Sequence, residues 1–233
     1  HEAGHAAASW LLEHASPLVK VTIVPRGKSL GAAWYLPEER QITTTEQLLD
    51  EMCGALGGRA AEEIIFGKIS TGALSDLEKV TKQAYAMVSV YGLSKEIGNI
   101  SFYDSSGQSE YSFNKPYSEK TAELIDEEVH KMVESAYKRT VDLLKKNKDK
   151  LTELATALLE KEVIFKEDLE RIFGVRPWRS AFEDKEKEIE KRNLADRAKK
   201  KAKEEGKEGN SEAPNGTDPG AGTEAVPVSP PNA

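Results

Sequence analysis

The sequence predicts a mainly α fold with a small β-sheet, followed by a charged helix and a disordered tail, and three features carry that expectation. Apolar residues recur at helical spacing through successive stretches of the first 173 residues. Only two short runs, each closed by a proline, have strand character. Past residue 182 the apolar stripe disappears, first into dense charge and then into Pro- and Gly-rich sequence.

The first helix opens with His1-Glu2-Ala3-Gly4-His5 and continues through the apolar Ala6, Ala7, Ala8, Trp10, Leu11 and Leu12. Val19 to Val24 is rich in β-branched residues and ends at Pro25; Leu30 to Leu36 is a second apolar run closed by Pro37. These read as two strands of a small sheet. Thr44 or Thr45 caps the next helix, whose stripe is Leu48, Leu49, Met52, Cys53, Leu56, Ala60 and Ile64. Gly57-Gly58 interrupts it, where another backbone approaches closely.

Ser70-Thr71-Gly72 reads as a loop, and Ser75 with Glu78 as a capping box that starts a helix at Ser75. Residues 94 to 117 are polar and aperiodic, a long loop with a short strand at Ile100-Ser101-Phe102. Ser118 caps a long helix with the stripe Ala122, Ile125, Val129, Met132, Val133, Ala136, Leu143 and Leu144. After a break at Asn147, Leu151, Leu154, Ala155, Leu158 and Leu159 give another amphipathic helix. Glu167 to Phe173 is a last short helix, closed by Gly174 and Pro177.

Between Glu183 and Glu205 nine Lys or Arg meet eight Asp or Glu, which describes a solvated helix. Residues 206 to 233 hold five of the ten prolines and no aromatic residue, too little apolar surface to offset ordering entropy. The expected boundaries are therefore 1–176 for the folded domain, 177–205 for the charged extension and 206–233 for the tail.

A net charge of -7 gives no case for nucleic acid as a partner. No run approaches the ~18 to 20 apolar residues of a membrane span, and the start is not a signal peptide. The single cysteine, Cys53, cannot form an intramolecular disulfide and sits in an apolar helical stripe, so it reads as core in a reducing compartment. A chain that opens on His1 is expected to be a piece of a longer protein, with any membrane anchor or nucleotide-binding domain upstream.

The chemistry concentrates in the first five residues. Helical residues four apart lie on one face, so His1 and His5 present two imidazoles to one metal ion, with Glu2 beside them. Zinc takes neutral nitrogen ligands, keeps an open position and lowers the pKa of a water there to about 7. A neighbouring carboxylate then serves as general base. Paired helical histidines also occur as purely structural residues, so the spacing needs a third ligand to become a site. Ala8 and Leu11 stand where a metzincin has Gly and His, and His14 lies too far along to ligate. Asp76, in a first helical turn, is a candidate, although an aspartate there also simply favours the helix dipole. Glu62 and Glu63 on the preceding helix are its rivals.

His1-Glu2-Ala3-Gly4-His5, Val21-Thr22-Ile23-Val24-Pro25-Arg26-Gly27, Tyr35-Leu36-Pro37, Gly57-Gly58-Arg59-Ala60-Ala61-Glu62-Glu63 and Ser70-Thr71-Gly72-Ala73-Leu74-Ser75-Asp76 occur together and in this order. With them residues 1 to 176 resemble the FtsH family of membrane-anchored AAA proteases. The resemblance implies a helical metallopeptidase domain with a small β-sheet, zinc held by His1, His5 and Asp76, and Glu2 as the catalytic base. It places Glu62 close to the zinc and a substrate-binding edge strand at Gly31, Ala32 and Ala33. An edge strand holds an extended peptide through backbone hydrogen bonds regardless of sequence, though a plain structural strand would look the same.

Met52-Cys53, Lys115-Pro116-Tyr117-Ser118-Glu119, Ala136-Tyr137-Lys138-Arg139-Thr140 and Leu158-Leu159-Glu160-Lys161-Glu162-Val163 are similar to the paraplegin-like m-AAA branch. That branch faces the matrix from the mitochondrial inner membrane; bacterial members, on the cytoplasmic face of the inner membrane, are the alternative. The family further implies a homo- or hetero-hexamer, unfolded polypeptide substrates, and an upstream ATPase using ATP and Mg2+. This chain has no Walker-type loop of its own. The competing reading is a catalytically silent helical module for hexamerisation and partner binding, against which the intact Glu2 speaks.

Overall fold

A computed structural model describes residues 1–16, 18–25, 31–35, 42–103, 116–178 and 192. The chain separates into two units, His1–Asp184 and Lys185–Ala233. The first is a mainly helical domain with a small antiparallel sheet. In the second only Arg192 is described, and it is helical. The tail and nearly all of the charged extension thus lie outside the described residues.

Helix α1 (Glu2–Leu11) runs through the centre and buries Ala3, Gly4, Ala6, Ala7 and Ala8. Small residues let neighbouring backbones come close. A Cβ on Gly57 of α2 (Thr45–Phe66) would stand 2.5 Å from the Gly4 carbonyl oxygen, so two helices meet there backbone to backbone. The sequence places this close approach correctly, but α2 runs unbroken through Gly57-Gly58. Packing against α1 compensates the low helix propensity of two adjacent glycines. Helix α2 is capped by Thr44, one of the two expected residues, in a capping box with Gln47, and ends at Gly67, whose φ of 64° makes it a left-handed cap.

Strands β1 (Leu18–Thr22) and β2 (Ala32–Tyr35) pair antiparallel, with one extra β1 residue between the Leu18–Tyr35 and Lys20–Trp34 pairs. The sheet has a third described strand that the sequence did not reveal, β3 (Val163–Phe165), giving the order β2-β1-β3. Strand β2 is shorter than the expected Leu30 to Leu36, and Leu30 and Leu36 themselves lie outside the described residues.

Helix α3 (Leu74–Tyr85) does not begin with the expected Ser75–Glu78 box. A 3-10 turn at Thr71–Ala73, capped by Ser70, leads straight into it, and Glu78 instead meets Lys82 one turn on. A π-turn at Ala86–Val90 extends α3. No strand forms at Ile100-Ser101-Phe102, where the Phe102 N–H bonds to the Ser89 carbonyl.

Ser118 caps α4 (Glu119–Lys146), Asn147 separates it from α5 (Lys148–Lys161), and α6 (Lys166–Phe173) closes the domain. The predicted helical stripes are buried or half-buried with one exception, Leu159, which is 73% exposed. It lies next to Leu158 on the helix, about 100° around, and so points away from the core. One core cluster joins α1, β1, α5, β3 and α6 with Ala60 and Ala61 of α2 and Val141 and Leu144 of α4; the other is built mainly from α2, α3 and α4. Cys53 is buried in the second, as expected, and burial pushes its thiol pKa up. Beyond α6 the chain closes over α1: Trp10 donates to the Gly174 carbonyl, and Arg176 donates to the carbonyls of Leu12, Glu13 and Ala15. The Arg176 bonds satisfy carbonyls just past the C-terminal end of α1.

Candidate metal centre

His1 is the N-cap of α1 and His5 lies one turn on, with ring centroids 4.7 Å apart. Each ring is fixed through Nδ1. His5 Nδ1 lies 3.0 Å from the Gly54 carbonyl oxygen, and His1 Nδ1 lies 2.9 Å from Glu62 Oε1. A carbonyl or ionised carboxylate only accepts, so Nδ1 carries the proton in both, and each neutral ring presents its Nε2 lone pair. Carboxylate– or carbonyl–histidine support of this kind is how metal-binding imidazoles are oriented.

The two Nε2 atoms converge on Asp76. Its Oδ2 stands 3.3 Å from His1 Nε2 and 3.4 Å from His5 Nε2. The ligand atoms of His1, His5 and Asp76 lie within 4.8 Å of one another. Two neutral imidazoles and a carboxylate suit zinc, and three protein ligands leave one position for water or substrate. Gly58 makes room for the pair, since a Cβ there would stand 2.7 Å from both His1 Nε2 and His5 Nε2.

The same residues also shift one another's titration, with Asp76 as acceptor for the imidazoles. Burial raises the Asp76 carboxyl, but hydrogen bonds to His1 and His5 outweigh it and hold the group well below the usual carboxylate range. The bond to Asp76 raises His1 against a lowering by burial, and Glu62 adds to the rise. Burial also raises Glu62, yet the Ser70 backbone N–H and His1 bring it below its ordinary value.

Glu2 occupies the first turn of α1 beside the two histidines. Its carboxyl is pushed up, chiefly by burial, with His5 and His1 pulling part of the rise back. Gly31, just before β2, lies against it: a Cβ on Gly31 would stand 2.6 Å from Glu2 Oε1. That contact needs glycine, which lets backbone approach a functional side chain this closely.

A cleft of about 1140 Å3 joins His1, Glu2, His5 and Asp76 to Gly31, Ala32 and Ala33. Strand β2 is an edge of the described sheet. The cleft is also lined by the apolar Ile23, Phe66, Ala155, Leu158 and Leu159, so Leu159 opens onto it. Tyr35 also borders it and receives a 3.3 Å bond from Ser9, one turn past His5; burial pushes its hydroxyl up to about 12 despite that bond.

Of the residues singled out in the sequence, His1, His5, Asp76, Glu2, Glu62 and Gly31 to Ala33 all meet in this cleft. Glu63 does not; it accepts from the Tyr137 hydroxyl instead. His14 bonds through its backbone N–H to Asp50. Sequence reasoning missed Gly54, Gly58 and Ser70. The adjacent glycines of α2 were the available signal for the histidine seat, while the Ser70 contact depends on a chain reversal that has no local signature.

A model of peptidase family M41 matches residues 1–172. The ATP-dependent zinc metalloprotease FtsH of Parabacteroides distasonis is 65% identical over 178 residues, 76% of this chain and 26% of that protein. FTSH 10 of Arabidopsis thaliana, a mitochondrial ATP-dependent zinc metalloprotease, is 51% identical over 206 residues, 83% of this chain and 25% of that protein. The mouse mitochondrial inner membrane m-AAA protease component AFG3L2 is 52% identical over 186 residues, 79% of this chain and 23% of that protein. The chain spans about a quarter of the length of these curated relatives. Because the family match runs from His1, through the turn that carries Asp76, into α6, this chain belongs to peptidase family M41.

Proposed function

We propose that residues 1–176 are the proteolytic domain of an ATP-dependent zinc metalloendopeptidase, with His1, His5 and Asp76 holding the zinc and Glu2 as general base. The observation that carries this reading is the convergence of two Nδ1-anchored imidazoles and one carboxylate beside a half-buried glutamate. Bound zinc supplies a Lewis acid that acidifies water and polarises a peptide carbonyl. Glu2 takes the proton of the attacking water and returns it to the departing amine, and its raised pKa suits that exchange. Strand β2 holds the substrate extended through backbone hydrogen bonds at its outer edge, so unfolded chains of many sequences are accepted.

The relatives' names support ATP dependence and, for one of them, an inner-membrane protease; the family resemblance adds an upstream ATPase using ATP and Mg2+, a membrane anchor, a hexamer and misfolded or unassembled membrane proteins as substrates. No described helix of this chain is itself long and apolar enough to cross a membrane. The membrane is the mitochondrial inner membrane, facing the matrix, or a bacterial inner membrane, facing the cytoplasm; 65% identity with a bacterial protein against 51% to 56% with mitochondrial ones favours the second over the first expectation.

The test is zinc content by elemental analysis, with ATP-dependent casein cleavage, in the full-length protein and two variants. Asp76→Asn should lose most of its zinc, because an amide oxygen is a weaker ligand than a carboxylate for a dication. It should cost the helix only the charge–dipole interaction of a first-turn carboxylate, about 0.3 to 1 kcal/mol. Glu62→Gln should retain more zinc. Greater zinc loss in the Glu62 variant would remove Asp76 from the ligand set.

A further inference from the structure

We propose that Ser70 is a positioning residue that clasps the two sequence-distant halves of the metal site. Helix α1 brings His1 and His5, whereas Asp76 arrives on α3 after the chain has left α2, turned at Gly67 and passed through the 3-10 turn Thr71–Ala73. Only a few side chains can tie that turn to the histidines. Ser70 does so with three bonds.

Its backbone N–H donates to Glu62 Oε2 at 2.9 Å, and its hydroxyl donates to Glu62 Oε1 at 3.0 Å. The same hydroxyl oxygen accepts the Gly72 N–H at 3.1 Å and so caps the turn that launches α3. Glu62 Oε1 is the atom that receives His1 Nδ1. One carboxylate is therefore gripped at both oxygens by Ser70 while it orients the first metal ligand, and the gripping residue sets the start of the helix bearing the third. Gly72 leaves room for this: a Cβ there would stand 3.2 Å from the Ser70 hydroxyl oxygen.

Removing the hydroxyl frees Glu62 Oε1 from one of its two donors and uncaps the turn. The ring of His1 and the carboxylate of Asp76 then lose their common reference. Ser70 and Gly72 are exposed, so water replaces the lost bonds and the fold itself is little affected. The consequence falls on the geometry of the ligand set. Loss of a group bonded directly to a metal ligand typically weakens metal binding by about 10- to 100-fold, and Ser70 acts through such a group, Glu62, which sets the lower end of that range as the expected effect.

This inference rests on the zinc reading of the site, and the experiment separates the two. Zinc dissociation constants are measured by chelator competition for the full-length wild type, Ser70→Ala and Ser70→Thr, with melting temperatures of the metal-free proteins. Ser70→Ala should bind zinc about tenfold or more weakly. Ser70→Thr, which keeps the hydroxyl, should stay within about threefold of wild type, and the metal-free melting temperatures should agree. Wild-type zinc binding with an unchanged Ser70→Ala constant overturns the clasp alone, as does equal weakening in the threonine variant. A wild type that binds no zinc overturns the metal site and the clasp with it.

Discussion

Glu2→Gln should leave zinc bound and reduce peptide cleavage by about a hundred- to ten-thousandfold, the usual cost of removing a general base. Glutamine preserves the size of the side chain, its place in the first turn of α1 and both imidazole ligands. It cannot accept the proton. The other carboxylates of the site have partners of their own. Asp76 is already engaged by both histidines, and Glu62 by His1 and Ser70. Single-turnover cleavage of a fluorogenic peptide, with zinc measured on the same sample, checks this. Near-normal turnover with zinc present would show that the base lies elsewhere, and a parallel loss of zinc would show that Glu2 supports the ligand set.

Truncation after residue 146 should abolish cooperative folding. It removes α5, β3 and α6, and with them the buried Leu151, Leu154, Leu158, Ile164, Leu169 and Ile172. Each fully buried side chain of this kind contributes about 1.5 to 3 kcal/mol. Six of them together match or exceed the ~5 to 15 kcal/mol by which a domain is stable at all. The cut also removes the partner of β1 on its β3 side and the Gly174 and Arg176 bonds around the end of α1. The zinc helix thus depends on sequence more than 160 positions away, as the Trp10–Gly174 bond shows. A residues 1–146 fragment with unaltered thermal melting would contradict this dependence.

The site was legible wherever chemistry and periodicity coincide in a few residues. The four-residue spacing of His1 and His5 is a helical face by geometry alone, and Glu2 follows from it. Asp76 was not separable from Glu62 and Glu63 on local grounds, because carboxylates on helices are common and only the path of the chain decides which one reaches the histidines. The resemblance favoured Asp76, and the structure shows the division: Asp76 meets the Nε2 atoms, Glu62 an Nδ1, and Glu63 a tyrosine.

What was not legible has physical reasons. Strand β3 is only three residues long and follows directly on a helix, so helical periodicity runs almost up to it. The helix stop just before Val163-Ile164-Phe165 is Glu162 in the left-handed region at φ 61°, a position that glycine or asparagine would have signalled and glutamate does not. At α3, Ser75 and Glu78 fit a capping pattern, but the cap lies earlier because Ser70 is held in place by Glu62, a long-range contact. Leu159 fits the core stripe by spacing and yet faces the cleft, which spacing cannot distinguish from a further core position.

The most direct test of the proposed centre is anomalous diffraction from crystals of the zinc-loaded protein, recorded on both sides of the zinc absorption edge. The account predicts one strong peak about 2.0 to 2.2 Å from His1 Nε2, His5 Nε2 and an Asp76 carboxylate oxygen, with Glu62 remaining on His1 Nδ1. A peak coordinated by Glu62 in place of Asp76, or one outside the histidine pair, would contradict it.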